Sequence, residues 1–379
     1  MRDLASGKRR VTLAEDQFSS ELQEKVPPEL LPLLERRDGA GELILQLPQI
    51  IQSSDVATES KLQRAWELCG LHFFNQRRFH EAITIFQALY EQMLKHQQET
   101  GERVHKGMPL VWMSDCFSGL GCPVLAKRYL MLTTCEDAIR DKGNIAAEKT
   151  GTYFRIVWIH GLRHKEVRSY AQKIWTIAQE HPVETMFPEW IVQELDQDWM
   201  TEYPSHQESS VYIVTPAYVT SLLSKLGEGG GLALERLAHY VLSAIPGCRA
   251  YMRQLSHSTD YDVVCGMEGV HRDFRADLGR YFLCECKDWK DPANFSAFAK
   301  FCRVLDSAKC RFGILFSKSG LSGTATTTNA FREQLKVFQD RGMVIVVIDQ
   351  QDLQQVAERA NFITMLRSKY EEVRLDLRR

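Results

Sequence analysis

The sequence lacks the features that place a chain in a membrane or in an oxidising compartment. It has no run of about eighteen apolar residues, so we expect no segment that spans a bilayer and no membrane partner. No apolar stretch follows the basic residues near the amino terminus, so we expect no secretory signal. The ten cysteines are scattered without a CxxC pair. This pattern excludes a zinc-ribbon arrangement and indicates reduced thiols in a cytoplasmic protein.

A strong net charge is also absent. The chain has 47 lysines and arginines against 49 aspartates and glutamates, a net charge of −2, which argues against binding of polyanions over the whole surface. The distribution is uneven, because residues 231–379 carry 22 basic and 18 acidic side chains. This excess favours a polyanion partner for the carboxy-terminal part.

Composition and periodicity divide the 379 residues into four parts. Residues 1–60 are predicted to be an amino-terminal helical segment, and residues 61–195 are helical throughout with Gly or Pro between helices. Residues 196–230 are predicted to be a linker that ends in a glycine-rich stretch. No Lys-Ser/Thr follows these glycines, which argues against a nucleotide-binding loop. Residues 231–379 are predicted to form a separate domain.

A repeat is visible in the helical part. The first copy contains Trp66, Gly70, Phe73, Phe79, Ala82 and Phe86. Forty-four residues later the pattern recurs in Leu110, Ser114, Phe117, Pro123, Ala126 and Leu130. A degenerate third copy runs through Tyr153, Ile156, His160, Ser169 and Lys173. The spacing resembles the tetratricopeptide repeat, in which a small residue lets two antiparallel helices approach closely. The alternative is a generic antiparallel helical bundle. Either architecture implies recognition of a protein or peptide partner.

The order of elements after the linker predicts an α/β domain. Strands are predicted at residues 249–256, 260–267, 280–287, 312–317 and 343–349, with helices before, between and after them. The order α-β-β-β-α-β-α-β implies a mixed central sheet with helices on both faces. The fold class predicted for the whole chain is therefore multidomain, an all-α repeat region followed by an α/β domain.

The third of these strands carries an unusual pair of charges. Glu285 and Lys287 lie two residues apart in an apolar strand, so their side chains point to the same face. Burying two charges costs several kcal/mol per ion unless they are paired, bound to a metal or placed in a wet cleft. A salt bridge would satisfy both charges, and so would a metal site.

A second carboxylate is expected beside this pair. Asp262 opens the preceding apolar strand, 23 residues before Glu285, which leaves room for one hairpin. Asp260 shares its strand face and competes for the same role. Two carboxylates, a main-chain carbonyl and waters suit the octahedral oxygen ligation of Mg²⁺, for which Mn²⁺ can substitute. A lysine beside them can orient a water and balance charge on a phosphate, as phosphodiester hydrolysis requires.

The pattern Asp262…Glu285-Cys-Lys287, in this order of elements, resembles the D…(D/E)xK signature of restriction-endonuclease-like nucleases. The continuation CECKDWKDPANFSAFAKF is similar to the Mrr-like, type IV restriction group. The resemblance covers residues 228–349 and departs from the pattern at Tyr261, where proline is usual. It implies that Glu235, on the first helix, also contributes to the site. Lys300, Arg303 and Lys318 are the candidates for nucleic-acid contacts.

The resemblance implies a Mg²⁺-dependent endonuclease that cleaves DNA. By analogy of architecture, its role would be prokaryotic restriction or anti-phage defence, with the repeats docking or sensing a partner. A homodimer would allow one site per chain to cut both strands. Two alternatives stay open: an inactive repeat-based adaptor that only binds nucleic acid, and a repair or junction-resolving nuclease on the same fold.

Overall fold

The chain divides into two compact units. They are Met1–Met200 and Thr201–Arg379. The computed structural model describes residues 15–52, 59–144, 163–195, 204–255, 260–267, 278–322 and 330–375. In the third sequence repeat, Tyr153, Ile156 and His160 lie outside the described residues. Within these ranges, no helix combines the length and the apolar character needed to cross a membrane.

Unit 1 is helical throughout its described residues, as the sequence predicts. Its helices are α1 Glu15–Lys25, α2 Leu31–Glu35, α3 Gly39–Gln52, α4 Glu59–Asn75, α5 Phe79–Thr100, α6 Gly107–Gly119, α7 Pro123–Arg140, α8 His164–Glu180 and α9 Pro188–Glu194. Local chemistry sets several of their ends. Helix α7 begins at Pro123, where the missing N–H costs no helical hydrogen bond. Helix α5 ends before Gly101, whose φ of 73° is the left-handed conformation common after a helix.

Two helical hairpins, α4–α5 and α6–α7, repeat the same turn. Arg78 N donates to Phe73 O and Cys122 N donates to Phe117 O, both at 2.9 Å. Each acceptor and each donor lies 44 positions from its counterpart. A tetratricopeptide repeat has two short helices in 34 residues. The spacing here is longer because α5 alone has 22 residues. The sequence repeat therefore corresponds to a repeated structural unit.

The small residue of each repeat lies where its two helices meet. A Cβ atom added to Gly70 would lie 2.6 Å from the Phe86 ring, closer than van der Waals contact allows. At the equivalent position Ser114 is buried and donates its hydroxyl to Ala126 O at 2.7 Å. The close approach of antiparallel helices therefore depends on these two side chains.

Unit 1 also contains a buried ion pair. The Lys106 Nζ lies 3.2 Å from Glu136 Oε1 and donates to Gln97 Oε1 at 2.7 Å. Arg103 reaches the same Glu136 oxygen at 3.0 Å. Both Lys106 and Glu136 are fully buried, and burial lowers the pKa of the lysine although Glu136 opposes this shift. Such a pair persists in a low-dielectric interior because additional hydrogen bonds satisfy its polar atoms.

Unit 2 contains a five-stranded mixed sheet, as predicted. Its strands are β1 Cys248–Leu255, β2 Asp260–Met267, β3 Tyr281–Lys287, β4 Phe312–Ser317 and β5 Val344–Ile348, in the spatial order β1-β2-β3-β4-β5. Strands β1, β2 and β3 pair antiparallel, and β3, β4 and β5 pair parallel. Strand β3 is therefore the central strand, where the sheet changes from hairpin to crossover connections.

Helices cover both faces of this sheet. The helices of unit 2 are α10 Pro216–Leu223, α11 Leu232–Ser243, α12 Phe295–Ser307, α13 Ala330–Arg341, α14 Gln350–Ala357 and α15 Phe362–Leu375. Leu283 of β3 packs in the core with Phe298 and Phe301 of α12. Phe282, the residue before Leu283, packs edge to face on Phe312, with 5.4 Å between ring centroids, and Phe312 in turn contacts Tyr370 of α15. Successive side chains of β3 thus pack into two different cores, one on each face of the sheet.

The described structure of residues 204–230 is more ordered than a linker. The division between units falls after Met200, and α10 packs against α14 within unit 2. The glycine-rich stretch ends in a turn, Gly229–Gly231, that leads directly into α11. One further difference lies at the carboxy terminus, where two helices, α14 and α15, replace the single final helix that the sequence predicts.

The contact at Gly70 generates a stability prediction. Gly70→Ala should lower the free energy of unfolding by about 1–3 kcal/mol, because the new methyl group overpacks against Phe86. The control is Gly41→Ala in α3, where an added Cβ meets nothing within 4 Å; this change should leave stability unchanged or raise it by up to about 1 kcal/mol. Urea denaturation followed by circular dichroism measures both. Equal effects of the two substitutions would contradict the close approach at Gly70.

Candidate active site

The candidate site lies where β2 separates from β3. The last backbone pair at this end joins Val263 to Cys284, and β3 continues to Lys287 beside β4. Asp262, the next residue of β2, accepts a hydrogen bond from Cys286 N through its Oδ2 at 2.7 Å. The carboxylate thus satisfies an amide that the backbone of β2 leaves unpaired. It also fixes Asp262 beside the carboxyl end of β3.

Glu285 and Lys287 occupy this end of β3. The Lys287 ammonium donates to Glu285 Oε1, as expected for side chains that share one face of a strand. The side chain of Glu285 is only 13% exposed and that of Lys287 only 16%. The Lys287 Nζ also lies 5.4 Å from the centroid of the Trp289 ring, a cation–π contact that further stabilises the charge. In this structure the salt-bridge alternative for the pair is therefore realised.

Helix α11 brings the predicted fourth residue, Glu235, to the same region. Glu235 lies in the first turn of α11, which packs against β1, β2 and β3. Its side chain is 12% exposed and accepts from Arg253 Nε through Oε2 at 2.6 Å. A second bond joins the Arg253 guanidinium to Glu235 Oε1 at 3.4 Å. Glu235 is therefore paired with an arginine of β1.

The charges of the four predicted residues all affect one group, the thiol of Cys286. Burial raises the pKa of this thiol, and the negative charges of Asp262, Glu235 and Glu285 raise it further, while Lys287 lowers it. The hydrogen bonds of Asp262, Glu285 and Lys287 and the packing of α11 on β3 place these side chains near the same end of the strand. The structure thus gathers Asp262, Glu285, Lys287 and Glu235 around the carboxyl end of β3, and it makes the Cys286 thiol a poor nucleophile.

The residues present fit a hard divalent cation. Asp262 uses one oxygen for Cys286 N and Glu285 uses one for Lys287, so each carboxylate keeps a second oxygen. The N–H and C=O of one strand residue point to the same side; the Cys286 carbonyl therefore points toward Asp262. Two carboxylates and a main-chain carbonyl, completed by waters, suit Mg²⁺. No group of three or more His, Cys, Asp or Glu side chains in the described residues could hold a metal ion, so the carbonyl is needed.

The structure also separates Asp262 from its competitor. Asp260 is the first residue of β2, beyond the last β2–β3 pair; it pairs with Leu255 on β1 and is exposed. Asp262 is the carboxylate that contacts the β3 backbone. The contact favours Asp262 as the ligand.

The three candidates for nucleic-acid contact differ in their surroundings. Lys300 and Arg303 are exposed, one turn apart on α12. Lys318 is partly buried, and its Nζ donates to Leu226 O at 3.1 Å. Among the described residues, none of the three forms an ion pair with the site carboxylates. Lys300 and Arg303 are free to meet a phosphate, whereas Lys318 holds the glycine-rich stretch to the end of β4.

Sequence reasoning missed Arg253. Its neighbours alternate in β1, with apolar Cys248, Ala250 and Met252 on one side and Arg253 on the other, so a polar face was visible. The register between β1 and β2 was not visible in the sequence. It sets Arg253 opposite Asp262, between the pairs Met252–Val263 and Gln254–Tyr261. Its φ of 49° costs a non-glycine residue about 1–2 kcal/mol, which no local pattern reveals.

The donor set generates a metal-binding prediction. Asp262→Asn should weaken Mg²⁺ binding at least about tenfold, because the charge is lost while an amide oxygen can still accept from Cys286 N. The control is Asp260→Asn, two residues earlier in the same strand, which should leave the affinity within about twofold. Isothermal calorimetry on the full chain measures both. A larger loss for Asp260→Asn than for Asp262→Asn would exchange the two assignments.

Comparison with known proteins finds no relative of this chain. No protein-family model matches the chain, and no curated protein or solved structure is significantly similar to it. The function therefore has to be argued from the site itself.

Proposed function

We propose that unit 2 is a metal-dependent nuclease of the restriction-endonuclease-like type, which hydrolyses phosphodiester bonds. The observation that carries the proposal is the Asp262 carboxylate bonded to Cys286 N, between Glu285 and Lys287. This contact sets two carboxylates and a lysine at one end of the central strand. The D…(D/E)xK pattern is specific only within a particular order of strands. Unit 2 has that order, with antiparallel β1, β2 and β3 followed by parallel β4.

Each residue has a role that follows from its chemistry. Asp262, Glu285 and the Cys286 carbonyl would hold Mg²⁺, or Mn²⁺ in its place, which supplies charge stabilisation at the phosphate and lowers the pKa of a water. Lys287 orients the attacking water and balances the charge that develops on the phosphate. Glu235 adds negative charge beside these ligands and can accept a proton from the water. The Trp289 ring beside Lys287 stabilises the ammonium by a cation–π contact.

DNA is the proposed substrate. The excess of basic residues in 231–379 and the exposed Lys300 and Arg303 on α12 supply positive charge for a phosphate backbone. The resemblance of the Asp262…Glu285-Cys-Lys287 pattern to restriction-type enzymes points to DNA, and by analogy to prokaryotic restriction or anti-phage defence in the cytoplasm. A homodimer of such a protein would cut both strands with one site per chain.

Unit 1 is proposed to dock or sense a protein or peptide partner. Its two hairpins repeat the same turn bonds with a 44-residue spacing. Close helix packing at Gly70 and Ser114 matches the use of small residues in tetratricopeptide repeats. Stacked helix pairs form an extended surface for a peptide.

One observation favours a second function, the binding of nucleic acid without cleavage. The Lys287 ammonium is bonded directly to Glu285, and this ion pair satisfies both charges without a metal. A unit that binds nucleic acid and does not cleave it would show this arrangement permanently. In a nuclease, a cation on the second oxygen of Glu285 would repel the Lys287 ammonium. The pair would then open and Lys287 could turn to the water.

Cleavage of plasmid DNA separates the two functions. The full chain should nick or linearise plasmid in Mg²⁺ and stop when EDTA is added. Lys287→Ala should lower the rate by about 100-fold or more, since loss of one positioned group that stabilises charge in the transition state costs factors of this size. Lys336→Ala is the matched control: Lys336 is exposed on α13, and its removal should leave the rate unchanged.

Two outcomes would contradict the hydrolytic function. Cleavage that survives both EDTA and Lys287→Ala would show that another group does the chemistry. Undiminished binding of DNA without turnover in Mg²⁺ or Mn²⁺ would support the binding function instead.

A further inference from the structure

Arg253 adopts a backbone conformation that its residue type avoids. Its φ of 49° lies in the left-handed region, which glycine enters freely and other residues enter at a cost. It lies inside β1, with ladder pairs on both sides at Met252–Val263 and Gln254–Tyr261. Such conformations persist where the surrounding structure holds them, and they concentrate at functional sites.

The side chain of Arg253 is held by one carboxylate of the candidate site, that of Glu235. Its Nε donates to Glu235 Oε2 at 2.6 Å, and a terminal nitrogen reaches Glu235 Oε1 at 3.4 Å. The hydrogen bond to Glu235 raises the pKa of the guanidinium, and the charges of Glu235 and, less strongly, of Asp262 raise it further. The side chain is nevertheless 57% exposed. One edge of the fork is thus bonded to the site while much of the group faces solvent.

Arg253 also changes the charge balance among the residues proposed for the site. Asp262, Glu285 and Glu235 carry three negative charges, and Lys287 and Arg253 carry two positive charges. The sum is one negative charge. A divalent cation changes it to one positive charge, which a single phosphodiester group neutralises. Without Arg253 the site with its cation would have no remaining charge to attract the phosphate.

We propose that Arg253 is a substrate-binding residue of the site, one that neutralises Glu235 in the free protein and donates to a non-bridging phosphate oxygen of bound DNA. The inference rests on the proposed function, since it names how the same site takes its substrate. A guanidinium is suited to this exchange, because its planar fork can bond a carboxylate and a phosphate oxygen at the same time.

Two substitutions that break the same ion pair give opposite expectations. Arg253→Gln removes the positive charge, and Glu235→Gln removes the negative charge. Both are made in the full-length protein with Lys287 intact, and Ca²⁺ takes the place of Mg²⁺, so that the oxygen ligands hold a divalent cation of different size and geometry while binding is measured without cleavage. Fluorescence anisotropy of a labelled DNA duplex, repeated at several salt concentrations, gives the affinity and its salt dependence. The single strand of the same sequence is measured in parallel.

Arg253→Gln should weaken DNA binding by about tenfold, and the slope of log K against log salt should fall by about 0.9, the contribution of one phosphate contact. Glu235→Gln should leave the affinity unchanged or increase it, because a carboxylate that repels phosphate is removed. A purely structural ion pair would make the two substitutions equivalent.

Arg253→Gly keeps the test decisive if the glutamine variant folds poorly. Glycine adopts the observed φ without strain, so the melting temperature should stay the same or rise while DNA binding falls as in Arg253→Gln. A lower melting temperature with unchanged DNA affinity would overturn the inference, because it would make Arg253 a structural residue.

The two proposals fail in different ways. Wild-type protein that binds DNA and never cleaves it contradicts the hydrolysis, and the comparison of Arg253→Gln with Glu235→Gln still decides the role of Arg253. Equal affinities and equal salt slopes for these two variants overturn the role of Arg253, even if wild-type protein cleaves. Absence of DNA binding in the parent protein overturns it as well.

Discussion

The candidate site depends on one hydrogen bond, from the Cys286 amide to the Asp262 carboxylate. Backbone pairing between β2 and β3 stops at Val263 and Cys284, although β3 continues along β4 to Lys287. A partly buried amide without a partner would be costly, and the aspartate removes this cost with a charged acceptor. The same bond sets Asp262 next to Glu285, so the way in which the sheet ends its hairpin also builds the pair of carboxylates.

The rest of unit 2 keeps this arrangement rigid. Leu283, one strand repeat before Glu285, is anchored in the core with Phe298, and Phe282 is anchored in the other core against Phe312. Strand β3 therefore cannot slip, because a shift by one residue would exchange its two faces. The charges begin where the apolar core ends. Opening the Glu285–Lys287 pair then requires movement of side chains only, and the backbone that holds the ligands stays in place.

The sequence predicted the parts of this arrangement that are local. Alternation along Tyr281–Lys287 placed Glu285 and Lys287 on one face, and the order of elements predicted the mixed sheet. The register between strands is not local: it depends on pairing across the hairpin, and it decides that Asp262 meets β3 while Asp260 meets β1. Long-range partners were equally hidden. They include the Arg253–Glu235 bond, the Lys318 contact with Leu226 and the buried Lys106–Glu136 pair. The final helix was divided because Asn361 accepts from Ile363 N at 2.9 Å and starts α15 anew.

Anomalous diffraction from crystals of the full chain soaked in Mn²⁺ tests the metal-dependent site most directly. One strong peak is expected within about 2.2 Å of an Asp262 oxygen, a Glu285 oxygen and the Cys286 carbonyl, at the distances of an octahedral oxygen site. In that crystal the Lys287 ammonium should have left Glu285. An occupied Mn²⁺ site elsewhere, with Lys287 still bonded to Glu285, would contradict a metal-dependent active site at the end of β3.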